Sequence, residues 1–222
     1  MKFYICLVFA ITLAFVSGQS VSPLWPKYFT AQWNLQYTTS SNEPPYGNYP
    51  PAPYKVGRGL TFYDSTVESM LEVYLDFCVP IFMNGSDWTC NFLNVNGISY
   101  LISDDPNRPD YVPDCCVFGD PWYPPQPNFL ETSGAVQNVT SVIDCEPVEY
   151  WTIYLQDSGN FGYGFFANGT TDGWSQPASF YFAAAPLGWT IQNFFDFQVN
   201  QPIESTWTIP DSCSTAVSCP SM

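Results

Sequence analysis

The side chains able to do chemistry in this chain are carboxylates, thiols and aromatic rings, for it contains no histidine. That absence removes Ser-His-Asp and Cys-His nucleophilic catalysis, imidazole zinc sites and histidine pH switches together. Two carboxyls at matched separation could still cleave a glycosidic bond. Asp144 and Glu146 form such a pair if both lie on one strand face, although solvated surface charge is the simpler reading. Asp104, Asp105, Asn107, Asp110 and Asp114 crowd one loop with hard oxygen donors of the kind calcium accepts. Their spacing is not that of an EF-hand, because Pro109 stands where a ligand is needed and no glycine follows it. Calcium is the one cofactor left open, and no other is implied.

The cysteines lack paired zinc-ribbon spacing, and acidic surroundings raise a thiol's pKa, so structural disulfides are expected rather than a metal site or thiol catalysis. Cys78 and Cys90 flank a connection containing Asn84-Gly85 and are expected to pair across a hairpin. One of Cys115 or Cys116 is expected to reach Cys213, with Cys145 in the bridged set. If Cys6 leaves with a removed signal peptide, an odd number of cysteines remains, and Cys219, in the terminal segment, is the expected odd thiol, free or linking two chains into a homodimer. A non-covalent homodimer also stays open.

Aromatic residues make up 18% of the chain, more than an ordinary core needs. Trp33, Tyr37, Phe165, Trp189, Phe195 and Phe197 recur on segments that alternate rings with polar or small residues. In Phe161-Gly162-Tyr163-Gly164-Phe165 the glycines leave one face bare while the rings line the other. Three readings stay open: a large sandwich core, the wall of an apolar cavity, or an exposed platform that stacks on sugar rings.

The elements that must position these groups read as strands. From Phe29 to Tyr37 apolar and polar residues alternate without a fault. Val56 to Asp64 is a second strand, and Val67 to Phe77 fits a helix or a strand, with its neighbours favouring strand. Asn96-Gly97 between apolar arms marks a tight hairpin within Phe92 to Ile102. Ser40 to Tyr54 is proline-rich and reads as a long loop; Asp104 to Leu130 reads as an irregular, disulfide-held excursion. Ala135 to Asp144, Glu149 to Gln156, Phe161 to Phe166, Ala178 to Ala184 and Trp189 to Val199 continue the pattern, with turns at Asp157 to Asn160 and Pro186 to Gly188. Short strands at steady spacing argue for an antiparallel all-β sandwich or partly open barrel.

Only 11% of residues are charged against 46% hydrophobic, so the chain can build a core. A net charge of −15 repels phosphate backbones and anionic headgroups and argues against nucleic acid as a partner. The apolar run Phe3 to Val16 ends in Ser17-Gly18 and is shorter than the roughly 20 residues of a spanning helix, so residues 1–18 are expected to be a removed signal peptide. Sequons at Asn84, Asn138 and Asn168 agree with a secretory route to the extracellular space or an endomembrane lumen.

Several spread-out features resemble the ependymin-related family of secreted glycoproteins. They are Phe62-Tyr63-Asp64, the cysteines Cys78 and Cys90, Asn96 to Ile102, the Pro-Trp-Tyr-Pro-Pro segment Pro121 to Pro125, Asp144 to Val148 with Trp151, and Pro202 to Cys213. The adjacent Cys115-Cys116, Cys219 and the long proline loop depart from the family pattern. The resemblance implies that residues 19–222 form a single β domain. Two curved antiparallel sheets would surround an apolar pocket, a shape shared with bacterial lipoprotein carriers of the LolA type. It also implies calcium binding and association with extracellular matrix. The expected function is therefore a secreted, non-catalytic glycoprotein that binds an apolar or amphiphilic small molecule. The alternative is a structural or adhesive glycoprotein that binds carbohydrate through exposed aromatics.

Overall fold

The computed structural model describes residues 21–38, 54–78, 87–119, 124–155, 159–171, 173–184 and 188–220. The expected signal peptide, nearly all of the proline-rich loop 40–54, Asn84, and parts of the turns expected at Asp157 to Asn160 and Pro186 to Gly188 lie outside them. In chain order the strands are β1 (Tyr28–Thr38), β2 (Lys55–Asp64), β3 (Ser69–Tyr74), β4 (Cys90–Val95), β5 (Ile98–Ile102) and β6 (Cys115–Val117). A one-turn helix, α1 (Phe129–Thr132), precedes β7 (Val136–Ile143), β8 (Glu146–Leu155), β9 (Gly159–Thr171), β10 (Trp174–Ala184) and β11 (Gly188–Gln198). The chain ends in two 3-10 turns, Glu204–Trp207 and Asp211–Thr215, and the short β12 (Val217–Ser218).

Among the described residues these strands make one sheet, in the order β12-β6-β5-β4-β3-β2-β1-β11-β10-β9-β8-β7, and it does not close into a barrel. The all-β class and the antiparallel curvature match expectation, but the two expected sheets are two meanders of a single one. β1 pairs with β2 on one side and with β11 on the other, and so joins them. Only β12 against β6 is parallel. Glu72 on β3 and Tyr163 on β9 are five strand spacings apart, about 24 Å on a flat sheet. They nevertheless line one cavity, so the sheet curls strongly around its inner face.

Local chemistry explains the hairpins. Asn96 and Gly97 both have positive φ (54° and 73°), the geometry of a two-residue turn whose twist matches its strands. Asp144 and Cys145 do the same between β7 and β8 (50° and 69°). Asp144 therefore sits in a turn rather than on a strand, and the shared-face pair imagined with Glu146 does not form. Val67 to Phe77 resolves as the strand β3 after a turn in which Glu68 takes a positive φ. The excursion 104–130 is less irregular than expected, since it holds β6 and α1.

Three disulfides join described residues: Cys78–Cys90, Cys115–Cys213 and Cys116–Cys219, with Cα separations of 5.2, 5.1 and 4.8 Å. Adjacent cysteines on a strand point to opposite faces. Cys116 accordingly joins the inner apolar cluster, while Cys115 and Cys213 pack outside with Leu93 and Tyr100. Cys219 is not an odd thiol. The β12–β6 pairing, Val217 opposite Cys116, holds the terminal segment in place, and no described cysteine is free.

Glycines let large rings lie flat on the sheet. A Cβ on Gly59 would sit 2.1 Å from the Trp33 ring, and one on Gly162 would sit 2.8 Å from the Tyr181 ring. The bare side of the Phe161 to Phe165 stretch is thus filled by tyrosines from neighbouring strands, while Tyr163 and Phe165 join the inner cluster.

Candidate functional site

The inner face holds a cavity of about 220 Å³. Strands supply it in i, i+2 pairs, as a period of two requires: Met70 and Glu72 from β3, Phe161 and Tyr163 from β9, Gln192 and Phe194 from β11. Phe29, Thr61 and Phe180 come from β1, β2 and β10. Trp25, Pro125 and Phe129 close one side. Trp25 is fixed there by its backbone N–H donating to the Pro127 carbonyl (2.9 Å) and by edge-on contacts with Phe29, Phe129 and Tyr163, the last at 4.8 Å between centroids.

One polar network enters this apolar space. Tyr74 Oη donates to Glu72 Oε2 at 3.0 Å, and Gln192 Nε2 approaches Tyr74 Oη at 3.5 Å. Burial pushes the Glu72 carboxyl above its ordinary range, although the contacts with Tyr74 and Gln192 pull in the other direction. Burial also drives the Tyr74 and Tyr163 phenols well up. No lysine or arginine among the described residues lines the cavity. Two lining polar atoms have no hydrogen-bond partner, Trp25 Nε1 and Gln192 Oε1, on residues only 4% and 2% exposed. Such groups normally find a partner.

The sequence-expected pocket residues divide. Trp33, Tyr37 and Phe165 are buried in the inner cluster, behind the wall rather than on it. Trp33 Nε1 donates to Thr61 Oγ1 at 3.0 Å and so steadies a lining residue. Phe197 stacks on Phe29 with centroids 4.8 Å apart. Trp189 lies on the other side of the sheet, clustered with Tyr150, Tyr181 and Ile191, and Phe195 is 42% exposed. The reason is a bulge: β11 gains one residue against β1 between Phe195 and Gln198, where Asp196 takes a positive φ of 47°. One extra residue exchanges the faces. Phe194 and Phe197 therefore point inward, whereas Trp189 and Phe195 do not. Glu72 was missed, though it stands between Met70 and Tyr74 at i±2, a carboxylate on an otherwise apolar strand face.

The five oxygen donors of the acidic loop do not converge. Asp105 accepts from the Thr89 and Asn107 backbone N–H groups, which hold its carboxyl below the usual range, and Asp114 pairs with Arg108. Asp104 and Asp110 are exposed, and no metal-holding cluster of carboxylates and thiols occurs among the described residues. Asn107 uses its backbone N–H to complete the turn around Asp105. A larger groove of about 560 Å³ lies beside Asp104 and Asp114, but it is open to solvent and more polar than the inner cavity. The sequon residues Asn138, on the edge strand β7, and Asn168, towards the end of β9, are exposed.

No family model matches the chain, and no curated protein matches it, so the ependymin-related likeness rests on its own residues alone. Solved structures are similar to it in fold only. An uncharacterized conserved protein from Thermus thermophilus aligns over 85% of this chain and 88% of its own, with 8% identity and a TM-score of 0.45. A domain assigned to outer membrane lipoprotein sorting in Vibrio parahaemolyticus aligns over 80% and 88%, with 8% identity and a TM-score of 0.36. PNGF-II aligns over 81% of this chain but 30% of its own, with 6% identity and a TM-score of 0.36. No functional statement follows from likeness at this level.

Proposed function

We propose that this protein is a non-catalytic carrier or receptor for a small amphiphile, held in the cavity on the inner face of the sheet. The observation that carries this reading is the combination of an aromatic wall with two buried, unpartnered polar atoms, Trp25 Nε1 and Gln192 Oε1. Ligand sites are mostly apolar concavities with a few polar groups that fix orientation. At about 220 Å³ this one suits a short hydrocarbon chain or the inner part of a longer amphiphile. Apolar burial contributes about 25 cal/mol per Å² before the costs of association.

The carbohydrate-platform reading has less support. The most exposed rings among the described residues, Tyr111, Tyr154 and Phe195, do not lie along one strand. The proposed setting is extracellular or lumenal. Three disulfides fit an oxidising compartment, and no described helix is long and apolar enough to cross a membrane. The exposed Asn138 and Asn168 are available for glycosylation.

The test is displacement of an environment-sensitive fluorescent acyl probe, repeated on Phe180→Glu, which places a charge in the wall at a partly exposed position. The expected result is a bound probe in wild type and its loss in the folded variant. Absence of probe binding to wild type, or equal binding to both, overturns the reading.

A further inference from the structure

Glu72 is a carboxyl in an aromatic chamber with no counter-ion among the described residues. It is 8% exposed, and no described basic side chain lines the space around it. The described cations are committed elsewhere or lie outside: Lys55 pairs with Asp87, Arg58 with Asp76 and Arg108 with Asp114, while Lys27 is exposed. A buried carboxyl must either keep its proton or find a cation. The hydrogen-bond directions favour a cation from outside. Tyr74 gives its single proton to Glu72, and the Gln192 amide N–H points to Tyr74. What this network leaves unpartnered in the cavity wall is an acceptor, Gln192 Oε1, beside the Glu72 carboxyl, which takes contacts from both Tyr74 and Gln192. Both side chains meet at Tyr74 Oη.

We propose that the cavity selects an amphiphilic amine: an alkylammonium whose N–H groups donate to Glu72 and Gln192 Oε1, with its hydrocarbon part among the rings of Phe29, Tyr163, Phe180 and Phe194. This deepens the carrier reading above and rests on it. Aromatic faces attract cations, and charge-assisted hydrogen bonds to a carboxylate are stronger than neutral ones. The net charge of −15 concentrates organic cations near the protein and repels fatty anions. Trp25 Nε1 is the orphan donor of the cavity and suits the oxygen of an amino alcohol. The other titratable groups around Glu72 are Tyr74 on its own strand, Tyr163 on β9 and Tyr63 on β2, whose phenols are all pushed up by burial. Below and around neutral pH only Glu72 can therefore release a proton when the cation enters.

Calorimetric titration of the full chain with octylammonium chloride, octanol and sodium octanoate tests this, on wild type, Glu72→Gln and Gln192→Leu. Octylammonium is expected to bind at least about 10-fold tighter than octanol, with octanoate weakest. Glu72→Gln should erase that preference, weakening octylammonium far more than octanol. In buffers of different ionisation enthalpy, wild type should release a proton to octylammonium wherever Glu72 starts protonated, and the variant should not. Octanol or octanoate binding tighter than octylammonium, or an ammonium preference that survives Glu72→Gln, overturns the amine proposal and leaves the carrier reading standing. Binding of none of the three overturns both. If Glu72→Gln does not fold, Gln192→Leu decides: weakening confined to octylammonium supports the proposal, and equal weakening of octanol overturns it.

Discussion

Between β4 and β6 the sheet is tied by sulfur, whereas between β8 and β10 it is tied by rings laid over glycines. β6 and β12 have three and two residues, too few ladder hydrogen bonds to hold a terminal segment. Cys115–Cys213 on one face and Cys116–Cys219 on the other clamp that edge instead. β8, β9 and β10 run for 10, 13 and 11 residues, and Tyr150 and Tyr181 cover the bare Gly164 and Gly162. Short strands need a covalent constraint on the unfolded chain; long ones draw enough from pairing and buried aromatic area.

The comparison breaks most severely at a glycine. A Cβ at Gly162 would lie 2.3 Å from the Trp151 carbonyl oxygen, which is backbone and cannot step aside. Gly162→Val is expected to abolish soluble folded protein, measured as yield and circular dichroism. Gly119→Ala, with nothing within 4 Å of its added carbon, should change stability by less than about 0.5 kcal/mol.

The sulfur clamp should fail in two unequal steps. The bridges Cys115–Cys213 and Cys116–Cys219 span separations of 98 and 103 residues and close nearly the same loop. Cys213→Ser with Cys219→Ser releases that loop and should cost about 4 to 5 kcal/mol. Either substitution alone leaves the other bridge closing it and should cost less than about 2 kcal/mol in denaturant titrations. Equal and additive losses would mean that the two bridges constrain different parts of the chain.

Adjacent phenylalanines on β11 test which face of the strand lines the cavity. Phe194→Ala removes buried wall and should cost about 3 to 5 kcal/mol and most of the acyl-probe affinity. Phe195→Ala, on a 42% exposed side chain, should cost less than about 1 kcal/mol and leave probe binding alone. The reverse ranking would show that the faces of β11 are exchanged in solution.

The smallest effect is a pH dependence located in the cavity. Glu72 holds its proton to higher pH when folded than when unfolded. The native state therefore binds more protons in that window, and the contribution is fully present below the ordinary glutamate range and lost as pH rises through the folded pKa. Glu72→Gln lacks this loss. The excess of its melting temperature over that of wild type should widen as pH rises above the ordinary glutamate range. Asp76 and Asp105, held below their usual range by Arg58 and by backbone N–H groups, titrate alike in both proteins and cancel.

Local pattern alone determined the all-β class, because strict alternation in β1 and Asn96-Gly97 between β4 and β5 are short-range signals with one backbone solution each. Cys78–Cys90 was also legible, since its halves are only twelve positions apart and flank an antiparallel pair, β3 and β4. The way β1 joins the two meanders into one sheet was not, because pairing β1 with β11 depends on contacts more than 150 residues apart in sequence. Nor was the inner face of β11, where one bulge residue turns Phe197 to the same side as Phe194, or the fate of Cys219, which only the parallel β12–β6 contact decides. Glu72 shows the division most plainly. Its place on an apolar strand face is written in the order Met70, Glu72, Tyr74, but its isolation from every described cation exists only once β3, β9 and β11 have curled around it, because desolvation is a property of the assembled cavity and not of the strand.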